Sequence, residues 1–464
     1  MRRALIVLLL FSTLVIGTAF VYVRSDREMI PLKLHIDSII VDSHNDTMMK
    51  IVDENTWLPV IDLRGETSLQ IDFKKLRAGN LSVPFFAAYS SPFYGNPDRS
   101  ISRTAALFNA LYHTQKNNSD LMEIASSYSE IERIVLKKKF AAVPTIEGAY
   151  SVSKVNATEL IKQYDDLKVK AIGFTWNYSN ELGEGLYRAY GDRDGSFSHG
   201  GLTELGRQTV KQMNSLGMIV DVSHLAETTF WDVIETTELP IIASHSGAMS
   251  VHMHARNMTD DQIKAVGENG GVVSAVFFTE FIGKKGEASV SKIVDHIDHI
   301  VKIAGVDHAG LGSDFDGADM PEDLKDATGI YKITEELAKR GYNEKDIKKI
   351  LGLNLLRVIR ENDKARKPDV GIEGLSIKPL FEMGDAFADK RPILRAEVKD
   401  SSGKDIDYRV IINGIPKEVK VENNLITYEI ENILKEKFYI FTFEALSAEG
   451  GSVRETRIFR IEGN

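Results

Sequence analysis

The chain has no cysteine among its 464 residues. That absence excludes disulfides, thiolate nucleophiles and Cys-ligated metals, so any metal must sit on His, Asp and Glu. An excess of positive charge is also missing: 57 Lys+Arg stand against 67 Asp+Glu, a formal net charge of -10. Spread along the chain, that balance offers no footprint for a polyanion and argues against nucleic acid as a partner. Long apolar runs are absent after the N-terminus, which excludes a polytopic membrane protein. No Gly-rich phosphate turn follows an early strand; the nearest mimic, Gly310-Leu311-Gly312, leads into acidic residues, which counts against an open dinucleotide-binding sheet. What is present is an ordinary globular balance, 43% apolar and 27% charged, in a chain long enough for one to three domains.

The one long apolar run comes first. After Arg2 and Arg3, Ala4 to Val23 carry no charge, and Arg24, Asp26, Arg27 and Glu28 follow at once. An uncharged stretch of roughly 20 residues is long enough to cross a bilayer as a helix. We read residues 1–28 as an uncleaved signal anchor with a short linker, the alternative being a signal peptide cut near Gly17 and Ala19. The paired arginines before the span keep the N-terminus inside, which puts the rest of the chain outside the cell membrane, or secretes it if the segment is removed.

From Ile39 to about Ile359 one theme repeats, a short β-branched apolar run followed by a helix-patterned stretch. Eight such runs are expected as strands: Ile39 to His44, Val83 to Tyr89, Ala141 to Glu147, Val169 to Trp176, Met218 to His224, Pro240 to His245, Gly271 to Phe278 and His308 to Asp314. Leu202 to Leu216 and Ile330 to Arg340 read as intervening amphipathic helices. Eight β/α units predict a TIM (β/α)8 barrel over residues 29–377. After about Lys378 the pattern changes to short alternating segments, with Asn413-Gly414 and Glu449-Gly450-Gly451 as hairpin turns. Residues 378–464 are therefore expected to form a small β-sandwich, an accessory domain with no cluster of chemistry-bearing residues.

Only eleven histidines occur, and His44, His224 and His245 fall at expected strand ends. Glu147 and Asp314 end two more, and Asp46 lies two residues beyond His44. In a barrel the C-terminal strand ends converge on one mouth. Each residue alone reads more simply as a hydrogen-bonded structural group, but three carboxylates cannot converge dehydrated without a cation. Imidazole and carboxylate donors without sulfur suit Zn²⁺, with Mn²⁺, Co²⁺ or Fe²⁺ as alternatives. His44 and Asp46, at i and i+2, point the same way and can grip one ion. Glu147 has two oxygens and is the natural bridge to a second ion held by His224 and His245. Asp314 is left as the proton shuttle beside a metal-bound hydroxide, in a two-metal hydrolytic site.

These residues sit in motifs that resemble the membrane dipeptidase (renal dipeptidase) family of zinc peptidases over residues 38 to 360. VDSHNDT, TIEGAY, GLTELGRQTVKQMNSLGMIVDVSH, IIASHSGA, HARNMTDDQI, GLGSDFDG and NLLRVI carry the resemblance in order. It implies a TIM barrel with two zincs on the ligands named above, Asp314 as acid/base, and Arg256 in HARN as the group that pairs with the free carboxylate of a dipeptide. One departure stands out. Where that family carries a His in a Leu-Thr-His context after the fourth strand, this chain reads Phe174-Thr175-Trp176. Trp176 becomes a wall of the substrate pocket, and oxyanion stabilisation falls to Asn177, Tyr178 or Asn180.

The expected protein is a zinc-dependent dipeptidase, tethered and outward-facing, that splits the single peptide bond of a dipeptide by a metal-bridging hydroxide. A homodimer is left open. A second reading is another binuclear metal amidohydrolase, acting on cyclic amides or lactones. Its usual first-strand His-x-His is replaced here by His44-Asn45-Asp46, and its frequent bridging lysine by Glu147. A third is a surface binding protein on a catalytically weak barrel, which the intact set of six site residues disfavours.

Overall fold

A computed structural model describes residues 26–186, 200–367 and 370–463. The expected anchor, Ala4 to Val23, lies outside the described residues. Among the described residues no helix is long and apolar enough to cross a membrane.

Eight parallel strands form the central sheet: β1 (Ile40–Asn45), β2 (Leu81–Tyr89), β3 (Phe140–Glu147), β4 (Ala171–Gly173), β5 (Ile219–Asp221), β6 (Ile242–Ser246), β7 (Val272–Ala275) and β8 (Ala309–Leu311). They pair in chain order, and a three-residue strand, Met122–Ile124, adds outside the path against β3. Just beyond β8 the ring closes: Asp314 N–H donates to His44 O at 3.1 Å and Asp46 N–H to Phe315 O at 2.8 Å. Closure and site assembly are thus one event, because the bonds that join the last loop to the first strand also bring Asp314 beside His44 and Asp46. The strands are buried along their whole length except at the ends of β2, as expected for a parallel sheet covered by helices.

All eight expected runs contain a strand, but four end early. β4, β5, β7 and β8 stop at Gly173, Asp221, Ala275 and Leu311. Trp176, His224 and Asp314, expected on or at the end of strands, lie on the loops that follow. The physical reason is visible at two of them: His224 has φ 67° and Asp314 φ 64°, left-handed values that an extended strand cannot hold.

The C-terminal region starts at Leu375–Pro379 and forms a four-stranded and a five-stranded sheet. A common core joins them, with Leu394 and Val398 from one sheet and Phe441, Phe443 and Phe459 from the other. Asn413 and Gly414, at φ 48° and 80°, make the tight turn between Ile406–Ile412 and Ile415–Glu418, the double left-handed turn that Asn-Gly favours. This region is docked firmly on the barrel. Phe438, Ile440 and Ile458 belong to the barrel's own apolar core. The buried Gln163 carboxamide donates to Ile411 O at 3.1 Å and Thr442 Oγ1 at 2.9 Å and accepts from Gly414 N–H at 2.7 Å.

A charged knot completes the joint. Glu444, 1% exposed, is held by both Arg409 and Arg454, while Arg409 also reaches Glu159 at 3.0 Å and Arg454 reaches Asp166 at 2.9 Å on the barrel helix Ala157–Asp166. Breaking a buried pair from one side leaves uncompensated charge. Arg454→Met is therefore expected to destabilise the protein by about 3 kcal/mol, at the low end of that range because Arg409 still faces Glu444. Urea unfolding measures it, and a loss below about 1 kcal/mol would mean that the knot is solvated.

Candidate active site and metal centre

His44 comes from the end of β1, Glu147 ends β3, and His245 lies in β6. His224 and Asp314 come from the loops after β5 and β8, and Asp46 is the first residue past β1. All six meet. His44 Nε2 lies 3.6 Å from Asp46 Oδ2, 3.7 Å from Glu147 Oε2 and 3.8 Å from Asp314 Oδ1. The other oxygen of the same carboxylate, Glu147 Oε1, lies 2.9 Å from His224 Nε2 and 3.7 Å from His245 Nε2. Glu147 thus divides the donors into His44 and Asp46 on one side and His224 and His245 on the other, as expected of a bridge.

Hydrogen bonds behind the rings decide which nitrogen faces inward. His224 Nδ1 lies 2.8 Å from Asn177 Oδ1, an acceptor, so Nδ1 carries the proton. His245 Nδ1 lies 2.8 Å from Ser244 Oγ, which itself donates to Asp221 Oδ2 at 2.5 Å; this ring is also protonated at Nδ1. Both histidines consequently present Nε2 lone pairs to the centre, and these two atoms are only 2.8 Å apart. Two lone pairs so placed repel unless a cation lies between them. Among the described residues His44 Nε2 and Asp46 Oδ1 are buried with no hydrogen-bond partner, which normally costs about 1–3 kcal/mol per group. The donor set and its orphaned atoms fit divalent metal.

The titration behaviour tells the same story. Burial, then the Asp46 charge, pushes Glu147 well above the usual carboxylate range. Burial also lifts Asp314, to about 6, partly offset by His44. Burial alone would lower His44, but Glu147, Asp46 and Asp314 outweigh it and raise the imidazole to about 10. Burial drives His224 and His245 well below 6.5, with Arg256 and His44 adding repulsion. The protein supplies more negative charge here than its own cations balance.

The remaining expected residues surround a cavity of 670 Å³ whose walls include Arg256, Trp176, Tyr89 and Phe281. Arg256 is buried at 6% exposure; its Nη2 donates to His245 O at 3.1 Å, and its guanidinium lies 5.4 Å from the Phe281 ring centre. Of the residues expected to replace the family's oxyanion donor, Asn177 is bonded to His224. Asn180 is committed to Phe174 O and Leu182 N, and the Tyr178 backbone N–H donates to Tyr150 OH at 3.3 Å. Asn177 Oδ1 therefore orients the His224 ring.

Sequence reasoning missed that role, the Asp221–Ser244 relay and Gly317. A readable signal existed for the relay: all three histidines of the cluster follow a serine, as Ser43-His44, Ser223-His224 and Ser244-His245. Ser223 Oγ accepts from His245 N–H at 3.1 Å, and Ser43 Oγ donates to Ser244 O at 2.6 Å. Gly317 is required by close approach, since a Cβ there would strike Asp46 Oδ2 and lie 2.7 Å from Asp314 Oδ1. Gly317→Ala is expected to lose metal and activity with the fold retained. Metal analysis and circular dichroism check this, and a metal-loaded, active variant would show that the loop yields.

A parallel β/α barrel with such a donor set at its C-terminal mouth defines a metallohydrolase. The sequence profile of the family Membrane dipeptidase (Peptidase family M19) matches residues 31–370, and the chain belongs to that family of metallo-dipeptidases. It is 31% identical over 340 residues to an uncharacterized dipeptidase of Schizosaccharomyces pombe, covering 70% of this chain and 80% of that protein. It is 30% identical to the dipeptidase verJ of Clonostachys rogersoniana, covering 79% and 94%. Among solved structures, a metallo peptidase from Rhodobacter sphaeroides liganded with a phosphinate mimic of the dipeptide L-Ala-D-Ala superposes with a TM-score of 0.63 at 26% identity, covering 70% of this chain and all of that one.

Proposed function

We propose that the protein is a zinc-dependent dipeptidase with two ions per chain, His44, Asp46 and Glu147 holding one and Glu147, His224 and His245 the other. The observation that carries this reading is the divided Glu147 carboxylate, one oxygen toward His44 and the other toward the remaining histidines. When bound, such ions polarise the scissile carbonyl and acidify the attacking water, so that a hydroxide nucleophile is available at neutral pH.

The chain's own residues supply the rest. Asp314, lifted to about 6, takes a proton from the attacking water and passes it to the leaving amine. Arg256 pairs with the substrate's terminal carboxylate and sets its distance from the metal ligands. The cavity, at 670 Å³, has the size of a small-molecule site. The Rhodobacter relative's dipeptide mimic supports the same substrate length. We further propose that residues 1–28 hold the barrel on the outer side of a cell membrane; carbonate extraction and protease accessibility on cells test that address.

Chelation followed by dialysis is expected to abolish dipeptide hydrolysis, and added zinc to restore it with two equivalents per chain. Undiminished turnover in a verified metal-free sample would overturn the mechanism.

A further inference from the structure

The cavity wall on the β2 and β4 side is aromatic. In the barrel order Arg256 belongs to the loop after β6, whereas Tyr89 ends β2 and Trp176 follows β4. Both aromatic residues line the cavity together with Met49. Trp176 meets Tyr89 edge to face, with ring centres 5.7 Å apart at 75°, and lies 6.0 Å from the His224 ring. Its indole therefore stands directly beside the metal ligands, where the scissile bond must lie.

The wall is also backed and pinned. Tyr178 lies 6.2 Å behind Trp176, and Phe93 packs edge to face on Tyr178 at 5.0 Å. One hydroxyl ties the loop together: Tyr150 OH accepts from Trp176 N–H at 3.1 Å and Tyr178 N–H at 3.3 Å and donates to Tyr178 O at 2.7 Å. Tyr150 OH is thus fully engaged and fixes the backbone that carries the indole.

Resting on the dipeptidase reading, we propose that the N-terminal residue of the preferred dipeptide is aromatic or large and apolar, seated against Trp176 and Tyr89, and that Tyr150 is the positioning residue of that subsite. With the substrate's carboxylate on Arg256 and its peptide bond at the metal ligands, the N-terminal side chain has the β2–β4 wall before it. Acidic side chains at this end are disfavoured, since seating a carboxylate against the apolar faces of Trp176 and Tyr89 strips its hydration. Aromatic pairing and apolar burial together predict a preference on the order of 10- to 100-fold in kcat/KM over glycine.

The test compares Phe-Ala, Leu-Ala, Gly-Ala and Glu-Ala with the zinc-loaded full chain. Phe-Ala is expected to lead, mainly through KM, and Glu-Ala to trail. Trp176→Ala should compress the Phe-Ala to Gly-Ala ratio toward one, and Trp176→Phe should recover part of it. Tyr150→Phe should compress the ratio by lowering kcat/KM for Phe-Ala more than for Gly-Ala, a split that general destabilisation would not produce. A wild-type ratio near one, or an unchanged ratio in Trp176→Ala, overturns the inference. If no dipeptide is hydrolysed, titration of Phe-Ala and Gly-Ala into the Asp314→Asn protein separates the claims. Tighter Phe-Ala binding keeps the subsite and discards the reaction, whereas equal binding discards both.

Discussion

Replacing Glu147 with Gln is expected to cost the protein its metal and its turnover together. The substitution nearly preserves shape, but it removes the charge that both halves of the site share. In the wild type Oε2 faces His44 and Oε1 faces His224 and His245; an amide offers one weak oxygen donor and an NH₂ that points a hydrogen at the opposing donors. Whichever way the amide turns, one triad meets N–H instead of a lone pair. Loss of the Lewis-acid contribution, several kcal/mol, corresponds to a fall in kcat on the order of 10³-fold. The variant should also titrate differently, because Glu147 is the first charge that raises His44. Inductively coupled plasma analysis of the dialysed protein reads the metal content. Retention of two tightly bound ions would show that the bridge is misassigned and would shift the role to Asp314, which also lies within 3.8 Å of His44.

The barrel was legible because its physics is periodic. Each parallel strand is buried on both sides, so Val, Ile and Ala accumulate in short runs that any sequence reading finds. The convergence of these six side chains was legible because a His or acid directly after such a run has few other reasons to recur at five strand ends. Where strands stop was less visible. Val222 and Gly312 continue the apolar pattern past Asp221 and Leu311, but the left-handed residues His224 and Asp314 lie just beyond, and nothing in their side chains announces positive φ. Such backbone costs on the order of 1–3 kcal/mol and persists only where surrounding bonds enforce it. Here Asp42 accepts from Ser313 N–H at 2.6 Å, and Asp316 accepts from Thr47 Oγ1 at 2.7 Å and Gln70 N–H at 2.6 Å.

The C-terminal region shows the complementary limit. Apolar and polar residues alternate along Ile393–Asp400 and Ser452–Ile461, and both are strands. Leu375–Pro379 and Leu425–Glu429 are harder to see, since a five-residue strand gives too few alternations to stand out. Nor could sequence foresee that Phe438, Ile440 and Ile458 would serve the barrel's core. Apolar positions on a strand declare that they are buried, without declaring against what.

Arg256→Ala is expected to lower kcat/KM for dipeptides by roughly 30- to 1000-fold, the equivalent of about 2–4 kcal/mol for a desolvated, charge-assisted pair. The guanidinium is prepared for that pair. His245 O takes one Nη2 hydrogen at 3.1 Å, and Phe281 supports its face at 5.4 Å. The next residue, Asn257, anchors the loop by donating to His252 O at 2.9 Å and Phe281 O at 2.7 Å. The same placement measures length. Arg256 shares one cavity with Asp46, Glu147, His224 and His245, so a carboxylate one residue beyond the scissile bond is within reach, whereas a tripeptide carries its charge a further residue away. Dipeptides should therefore outrun both tripeptides and dipeptide amides in the wild type. In Arg256→Ala the gap between a dipeptide and its amide should shrink, because the group that distinguishes them is gone. Arg256→Lys should restore little, since a single ammonium cannot reproduce a two-pronged contact while also keeping the bond to His245 O. Steady-state kinetics on the paired substrates decide it. Equal slowing of dipeptide and amide would make Arg256 a support for His245 and place carboxylate recognition on another wall of the cavity.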